Sequence, residues 1–402
     1  IGWISKASAN QRAGRAGRTG PGHCYRLYSS AIYEEDFPEY TDPEILRTPI
    51  EGVVLQMKTM GLHNVINFPF PTPPSRQGLA QAEKLLQYLG ALTSEGQATE
   101  LGHRMSLYPL SPRYSKMIQI GHQHGCMPYV IALVSALAVG ELFIQENQLE
   151  LPSKRAADEE VGNEDGDDGS NRQQQEVYTN ADRLEDTARE KRRKAYKQAH
   201  RLLSKHSDTS DALKYLSAIC AYDYASTEDE KELLCDTMFL RAKALKEASQ
   251  LRRQLSEMVR ANHPQMPQAA YTPRLAEPSE KQVKALKQIV TAGFLDHVAI
   301  RADLVGSGAN SGPRPRRAIE VPYLTLFAAR ESGDAATRHT VYVHPASVLA
   351  ELSVAEMPSY IVYSHLQQAT TATVSVDEDG KDQPAVKIRM HPLVAPSGTQ
   401  LA

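Results

Sequence analysis

The sequence predicts a multidomain, mainly α-helical chain with an α/β remnant at its beginning and a small β-barrel at its end. Three observations predict it. Apolar residues recur at three- and four-residue steps through most of residues 43–295. After Arg301 the pattern changes to short strand-like runs, Ile319–Phe327, Thr340–His344 and Tyr360–Tyr363. Before Pro43, a stretch dense in glycine and arginine leads into a strand-like run at Cys24–Tyr28. A length of 402 residues suits two to four domains, and an apolar fraction of 41% suffices for real cores.

The first helical pattern follows Pro43, with Ile45, Leu46, Ile50, Val53, Val54, Met57 and Met60 on one face. Pro49 either sits in its first turns or divides a short helix from a longer one. Asn67–Ser75 is proline-rich and extended. A second helix runs from about Gly78 to Leu89, and Gly90–Gly102 has the small and polar residues of a short hairpin. Two helices and a hairpin within about 60 residues outline a winged helix.

Ser111–Glu146 is helical, and Val130–Val139 is apolar nearly all round, which means burial on every side. The composition then breaks. Asp158–Asp168 holds seven carboxylates and no Lys or Arg, Ser170–Gln175 is polar, and the stretch is expected to stay disordered. A basic helix-favouring run, Arg189–Lys205, comes next, then helices over about Asp211–Tyr224 and Glu228–Val259. Asn262–Pro278 reads as a linker, Glu280–Leu295 as an amphipathic helix, and Gly306–Gly312 as a glycine-rich loop among the strands.

A net charge of −3 announces no global excess of basic residues, so a nucleic-acid surface must come from local segregation of charge. The four cysteines, Cys24, Cys126, Cys220 and Cys235, form no CxxC pair, which points to a reducing compartment and away from disulfides. His122 and His124 lie near Cys126, but no fourth ligand is spaced for zinc, so no metal site is expected. No apolar run reaches the roughly 18 residues of a membrane span. The start has no signal-peptide pattern and no Met, and the chain reads as a piece of something longer.

The strongest chemical signal is Gln11-Arg12-Ala13-Gly14-Arg15-Ala16-Gly17-Arg18-Thr19-Gly20. Arg15 and Arg18, three apart, would share one side of a helical turn. Each guanidinium is a planar fork of donors, suited to the equatorial oxygens of a transferring γ-phosphoryl group. Gln11 could meet the γ-phosphate or orient the attacking water, and Gly14 and Gly17 would let backbone approach closely. Such Arg/Gly runs also serve as flexible nucleic-acid tethers, but Gln11 in front and the β-like continuation behind speak against that.

These residues resemble motif VI of superfamily-two helicases. Ile4–Ala9 before it, and Thr19-Gly20-Pro21-Gly22 with Cys24–Tyr28 after it, look like the DEAH-box branch. Pro43-Glu44-Ile45-Leu46-Arg47 and Leu55-Gln56-Met57-Lys58 are similar to its winged-helix domain, and Leu107-Tyr108-Pro109-Leu110-Ser111-Pro112 to the opening of its ratchet domain. Val343-His344-Pro345-Ala346-Ser347 and Pro358–Tyr363 look like its oligonucleotide-binding (OB) barrel, although Ala346 stands where a serine is common. Leu251-Arg252-Arg253-Gln254-Leu255 and the block Gln282–Ala299 look like the ribosome-biogenesis subfamily, which acts on the small-subunit precursor and displaces small nucleolar RNA.

The resemblance implies a domain order. Residues 1–42 would end a second RecA-like domain and 43–105 form a winged helix. Residues 106–262 would be a ratchet domain with a disordered acidic insert at about 150–178, 263–280 a linker, 281–390 the OB domain and 391–402 a tail. It implies Arg15 and Arg18 as arginine fingers, with Gln11, Arg12 and Gly14 at the nucleotide. ATP with magnesium would be the cofactor, the magnesium ligands and phosphate-binding loop lying upstream, so that this fragment alone is inactive. The whole protein would be a 3′–5′ ATP-dependent RNA helicase, nuclear and nucleolar. Its partners would be pre-ribosomal RNA, small nucleolar RNA, the pre-ribosomal particle and a protein activator. A splicing helicase of the same kind, or a non-catalytic RNA-binding scaffold, are the competing readings.

Softer signals stay double. Arg113 and Lys116 could contact phosphates or be neutral surface cations. His344 and Ser347 could donate to RNA, or the His-Pro pair could shape a turn. Tyr342, Tyr360 and Tyr363 suit either core or base stacking. Arg189–Lys194 suits a nuclear localisation signal, an RNA-contacting stripe or a solvated helix face.

Overall fold

The computed structural model describes residues 3–149, 180–205, 209–264, 269–305, 315–327, 339–376 and 382–396. The acidic run, the polar run after it and the glycine-rich loop at 306–312 lie outside the described residues. Backbone contacts divide the chain into two compact units, Ile1–Gly102 and His103–Ala402.

In the first unit, α1 (Lys6–Ala13) starts where the Ser5 hydroxyl accepts from the Ser8 amide, and α2 (Ser30–Glu35) starts on Ser29 in the same way. Phe37 is buried under the rings of Trp3, Tyr28 and Tyr33, with centroids 5.6, 4.8 and 5.7 Å away. The expected strand at Cys24–Tyr28 is not one. The segment has no regular structure, bends at Leu27–Tyr28 and faces solvent, with Leu27 fully exposed, and among the described residues no strand of this unit pairs with it. A strand needs a hydrogen-bonded neighbour, so the expected α/β character of residues 1–42 is seen here as helices and loops only.

The winged-helix outline holds. Pro49 does divide two helices, α3 (Glu44–Arg47) and α4 (Glu51–Thr59), and α5 (Arg76–Tyr88) is capped by the Ser75 hydroxyl. Val54, Leu55 and Met57 pack against Leu79, Ala82, Leu85 and Leu86. The buried Lys58 reaches Glu83 at 2.7 Å and the carbonyl of His63 at 2.7 Å, tying α4 to α5. The hairpin is a single antiparallel bridge, Leu92 to Ala98, turning at Gly96 with φ +79°. Helix α6 (Glu100–Met105) follows.

In the second unit, α7 (Pro112–Ile120) leads to α8 (Met127–Val139), whose residues Val130–Ala136 are all buried, as an apolar all-round helix requires. Around α8 pack α10 (Asp211–Tyr224) and α12 (Ala242–Asn262), with α9 (Asn180–Leu203) and α11 (Glu228–Met238) outside them. The sequence pattern joined α11 and α12 into one helix. The structure breaks it at Phe239, left-handed at φ +55°, because residues 239–241 pair with the chain after α8: Ile144 donates to the carbonyl of Phe239 and Arg241 to that of Leu142. Inside this core Arg252 is ion-paired with Asp223, both fully buried, and Ser249 and the Thr272 carbonyl complete the set.

Helix α13 (Glu280–Gly293) opens with a capping box of Ser279 and Gln282 and buries Leu286, Ile289 and Val290 in the same core. Then β1 (Val298–Arg301), β2 (Tyr323–Thr325), β3 (Thr340–Val343), β4 (Tyr360–Val376) and β5 (Asp382–Val394) close a barrel in the order β1-β2-β3-β5-β4. All pairs are antiparallel except β3 with β5. This five-stranded closure is OB-like. Strands β1 and β5 were not anticipated, and β5 runs past the expected domain end at 390. Ile319 and Glu320, expected in a strand, lie in a 3-10 turn instead. Tyr323 fills the barrel core, its hydroxyl donating to Pro358 at 2.6 Å. Tyr363 is also core, stacked on His297, while Tyr342 is half-buried with Lys387 and Arg389 over its ring.

Candidate functional site

Gln11 and Arg12 occupy the last turn of α1, and the helix stops at Ala13. Gly14 donates to Asn10 at 2.9 Å, and Arg15 and Ala16 continue as tight turns onto Arg12 and Ala13. Arg15 and Arg18 therefore lie beyond the helix, in a turn and a bend, and not on one helical face as expected. Gln11, Arg12, Arg15 and Arg18 are all exposed, and none of the ion pairs among the described residues engages the three arginines. Their guanidinium forks are open to an anion.

The glycine that this loop requires is a different one. A Cβ at Gly14 would meet only ordinary contacts and one at Gly17 open space, but at Gly22 it would lie 2.1 Å from the Ala16 carbonyl oxygen. Gly22 folds the chain back over the motif. Asn10 then fixes the returning strand of chain: its Oδ1 accepts from Arg26 at 2.9 Å and from the Tyr33 hydroxyl at 3.1 Å. The Arg26 guanidinium also lies 4.8 Å above the Tyr33 ring.

The candidate RNA contacts fare differently. Arg113, on α7, is clamped bidentately by Asp296, at 2.8 Å for Nη2, and also donates to the Gly293 carbonyl. It joins α7 to the start of the barrel and has little left for a phosphate. Burial would raise the Asp296 carboxyl, but the bonds and charge of Arg113 outweigh it and hold that pKa below the ordinary value. Lys116 is half-buried, and burial pushes its ammonium down.

Ser347 is buried. Its hydroxyl donates to Asp211 and accepts from Leu349, so its expected donation to RNA is corrected to a structural bond. His344 is half-buried, and its Nδ1 accepts from Ala346 at 3.2 Å, which is the turn role. Its ring stacks on His391 at 4.2 Å, and His391 stacks on His365 at 4.2 Å. Burial, reinforced by the neighbouring imidazoles, pushes His391 down to about 3. Burial also lowers His344 and His365. All three are neutral near pH 7, so they offer ring faces and N–H groups without positive charge.

Reading by sequence missed Asp211 and Lys214, at the start of α10. With His200, His344 and Ser347, Lys214 lines two neighbouring cavities, of about 930 and 460 Å³, and Asp211 lines the smaller. Two charged residues three apart in a helix give no signal of their own, because which wall they face is decided by the packing of the barrel.

Residues 82–110 match the family described as Helicase associated domain (HA2), winged-helix, and residues 111–215 match Helicase associated domain (HA2), ratchet-like. The chain is 44% identical over 375 residues to the probable ATP-dependent RNA helicase DHR1 of Saccharomyces cerevisiae, covering 91% of this chain and 28% of the relative. It is 37% identical over 416 residues to the probable ATP-dependent RNA helicase DHX37 of Homo sapiens, covering 99% of this chain and 31% of the relative. With the putative ATP-dependent RNA helicase PB1A10.06c of Schizosaccharomyces pombe, identity is 47% over 300 residues, 74% of this chain and 24% of the relative. The chain thus spans about a quarter to a third of the length of these relatives.

Proposed function

We propose that the chain, whose residues 82–110 and 111–215 match helicase-associated (HA2) domains, serves as the C-terminal part of a DEAH-box ATP-dependent RNA helicase, remodelling RNA–RNA or RNA–protein contacts in small ribosomal subunit assembly. The observation that carries this reading is an ordered succession in one chain: an open arginine motif, a winged helix, a helical ratchet built on α8 and a five-stranded barrel.

In this reading ATP and magnesium bind to a motor of which residues 1–42 are one edge. The exposed donor set fits such a ligand: Arg15 and Arg18 would stabilise charge on the departing γ-phosphoryl group, and Gln11 and Arg12 would contact or support the nucleotide. Gly14, having no side chain, would contribute its backbone only, and a Cβ there would meet just ordinary contacts. Bound ATP supplies the free energy. The residues of this chain would sense its phosphate and pass the change to the domains that hold RNA, along which the enzyme would move 3′ to 5′.

The substrates would be pre-ribosomal RNA and small nucleolar RNA in a pre-ribosomal particle, in the nucleolus, with a protein activator. Ultraviolet crosslinking of the full-length protein in cells, followed by sequencing of the bound RNA, tests this. Recovery of pre-ribosomal and small nucleolar RNA is expected. Spliceosomal RNA in their place would transfer the chain to a splicing role.

A further inference from the structure

The side of α10 that faces the barrel carries a buried cation that lacks an ion pair among the described residues. Lys214 is only 4% exposed, yet it makes no ion pair and no hydrogen bond among the described residues. Its one close partner is the ring of Phe143, 4.6 Å from Nζ. The nearest carboxylate in sequence, Asp211, is already engaged by the Ser347 hydroxyl and the Val348 amide. Burial pushes the Lys214 ammonium down, while the carboxylates of Asp211 and Glu351 support its charge. These two carboxylates stand beyond ion-pair distance and do not offset the burial, and an anion in the adjoining cavity would reduce the remaining cost.

The cavity has further donors. His200 stands beside Lys214 with a buried Nε2 that has no hydrogen-bond partner among the described residues. Lys197 is exposed on the same wall, and Arg201, paired with Glu351 at 3.1 Å, lies at the rim. Donors from two helices, α9 and α10, suit an anion with three or four oxygens better than a carboxylate with two, and outnumber the carboxylates of Glu146 and Glu351 on the same lining. The space of about 930 Å³ admits a phosphorylated nucleotide and is far too wide for a bare monatomic ion.

We propose that the cavity between α9, α10 and the barrel binds a phosphate group, with Lys214 as its anchoring cation and His200 and Lys197 as further donors. The phosphate belongs either to a single-stranded RNA or to a free phosphorylated small molecule. The site stands apart from the helicase reading, because it can be measured without ATP turnover.

The test is thermal unfolding of the full chain at fixed pH and matched ionic strength, with pyrophosphate as the probe. Pyrophosphate should raise the wild-type midpoint by about 2–4 °C or more and leave Lys214→Met unmoved. No rise in the wild type, or an equal rise in Lys214→Met, overturns the proposal. Should Lys214→Met lose its far-ultraviolet circular dichroism, Lys197→Gln decides: pyrophosphate affinity reduced severalfold supports the site, and unchanged affinity overturns it. Displacement of pyrophosphate by excess oligouridylate assigns the site to RNA phosphate. Persistence of the pyrophosphate shift under that excess assigns it to a free phosphorylated molecule. Both outcomes sustain the site.

Discussion

The hydroxyl of Ser347, on the barrel, donates to the buried carboxylate of Asp211, on the first turn of α10, and the Val348 amide donates to the other oxygen at 3.0 Å. Two donors 136 and 137 residues further along the chain thus cap one helical carboxylate and join barrel to ratchet. Ser347→Ala should cost on the order of 1–3 kcal/mol, since it leaves a buried carboxylate short of a donor. Ser347→Thr keeps the donor and should cost less. Urea unfolding of the two variants checks this, and equal midpoints would remove the bond from the account.

Arg113 and Asp296 make a second joint, and this one depends on pH. Burial raises Asp296 while the Arg113 bonds and charge lower it further, so its folded pKa lies below the ordinary 3.8. The sign follows from linkage. A depressed carboxyl contributes stability that is fully present above the unfolded value and is lost as pH falls through the folded one. Asp296→Asn should therefore flatten the fall of stability below about pH 4, whereas Arg113→Ala leaves burial of the Asp296 carboxyl opposed only by weaker partners, so that stability should be lower by on the order of 3 kcal/mol near pH 7 and part of that loss should be regained as pH falls and the carboxyl takes up a proton. Parallel wild-type and Asp296→Asn curves across the acid range would contradict the assignment.

How much of this was legible in advance follows the range of the physics. The all-round burial of α8 and the division at Pro49 are local, and the sequence pattern offers them, the second as one of two readings. The break at Phe239 carries no glycine or proline; it exists because Leu240 bridges to Phe143 across the domain, and periodicity cannot register that. Strand β5 includes Pro384 and Pro392, which argue against a strand until pairing with β4 places them at irregular points of its ladder. The arginine motif was visible as chemistry, but its helix end was not, and neither was the burial of Ser347, which depends on a partner far off in the chain.

Gly22 and Gly17 should respond oppositely to the same substitution. Gly22→Ala places a methyl against the Ala16 carbonyl at 2.1 Å and must push the returning chain away, whereas Gly17→Ala meets nothing. Limited trypsin digestion reports it: Gly22→Ala should be cut faster at Arg15 and Arg18 than the wild type, and Gly17→Ala at the wild-type rate. Equal rates in all three proteins would mean that the fold-back is not held in solution.

Arg15 and Arg18 are exposed and bear no structural bond, so their loss should separate function from stability. In the full-length protein, Arg15→Ala should lower ATP turnover by on the order of 10³ or more, because a guanidinium that neutralises transition-state charge has no substitute in water. Arg15→Lys should recover little of it, since the ammonium keeps the charge and loses the planar fork. The unfolding free energy of each variant should stay within about 0.5 kcal/mol of the wild type, as for other surface changes that touch nothing. A steady-state ATPase assay beside a melting curve makes the decision. Turnover that survives Arg15→Ala and Arg18→Ala together would leave the motif as an RNA tether and the arginines without a part in hydrolysis.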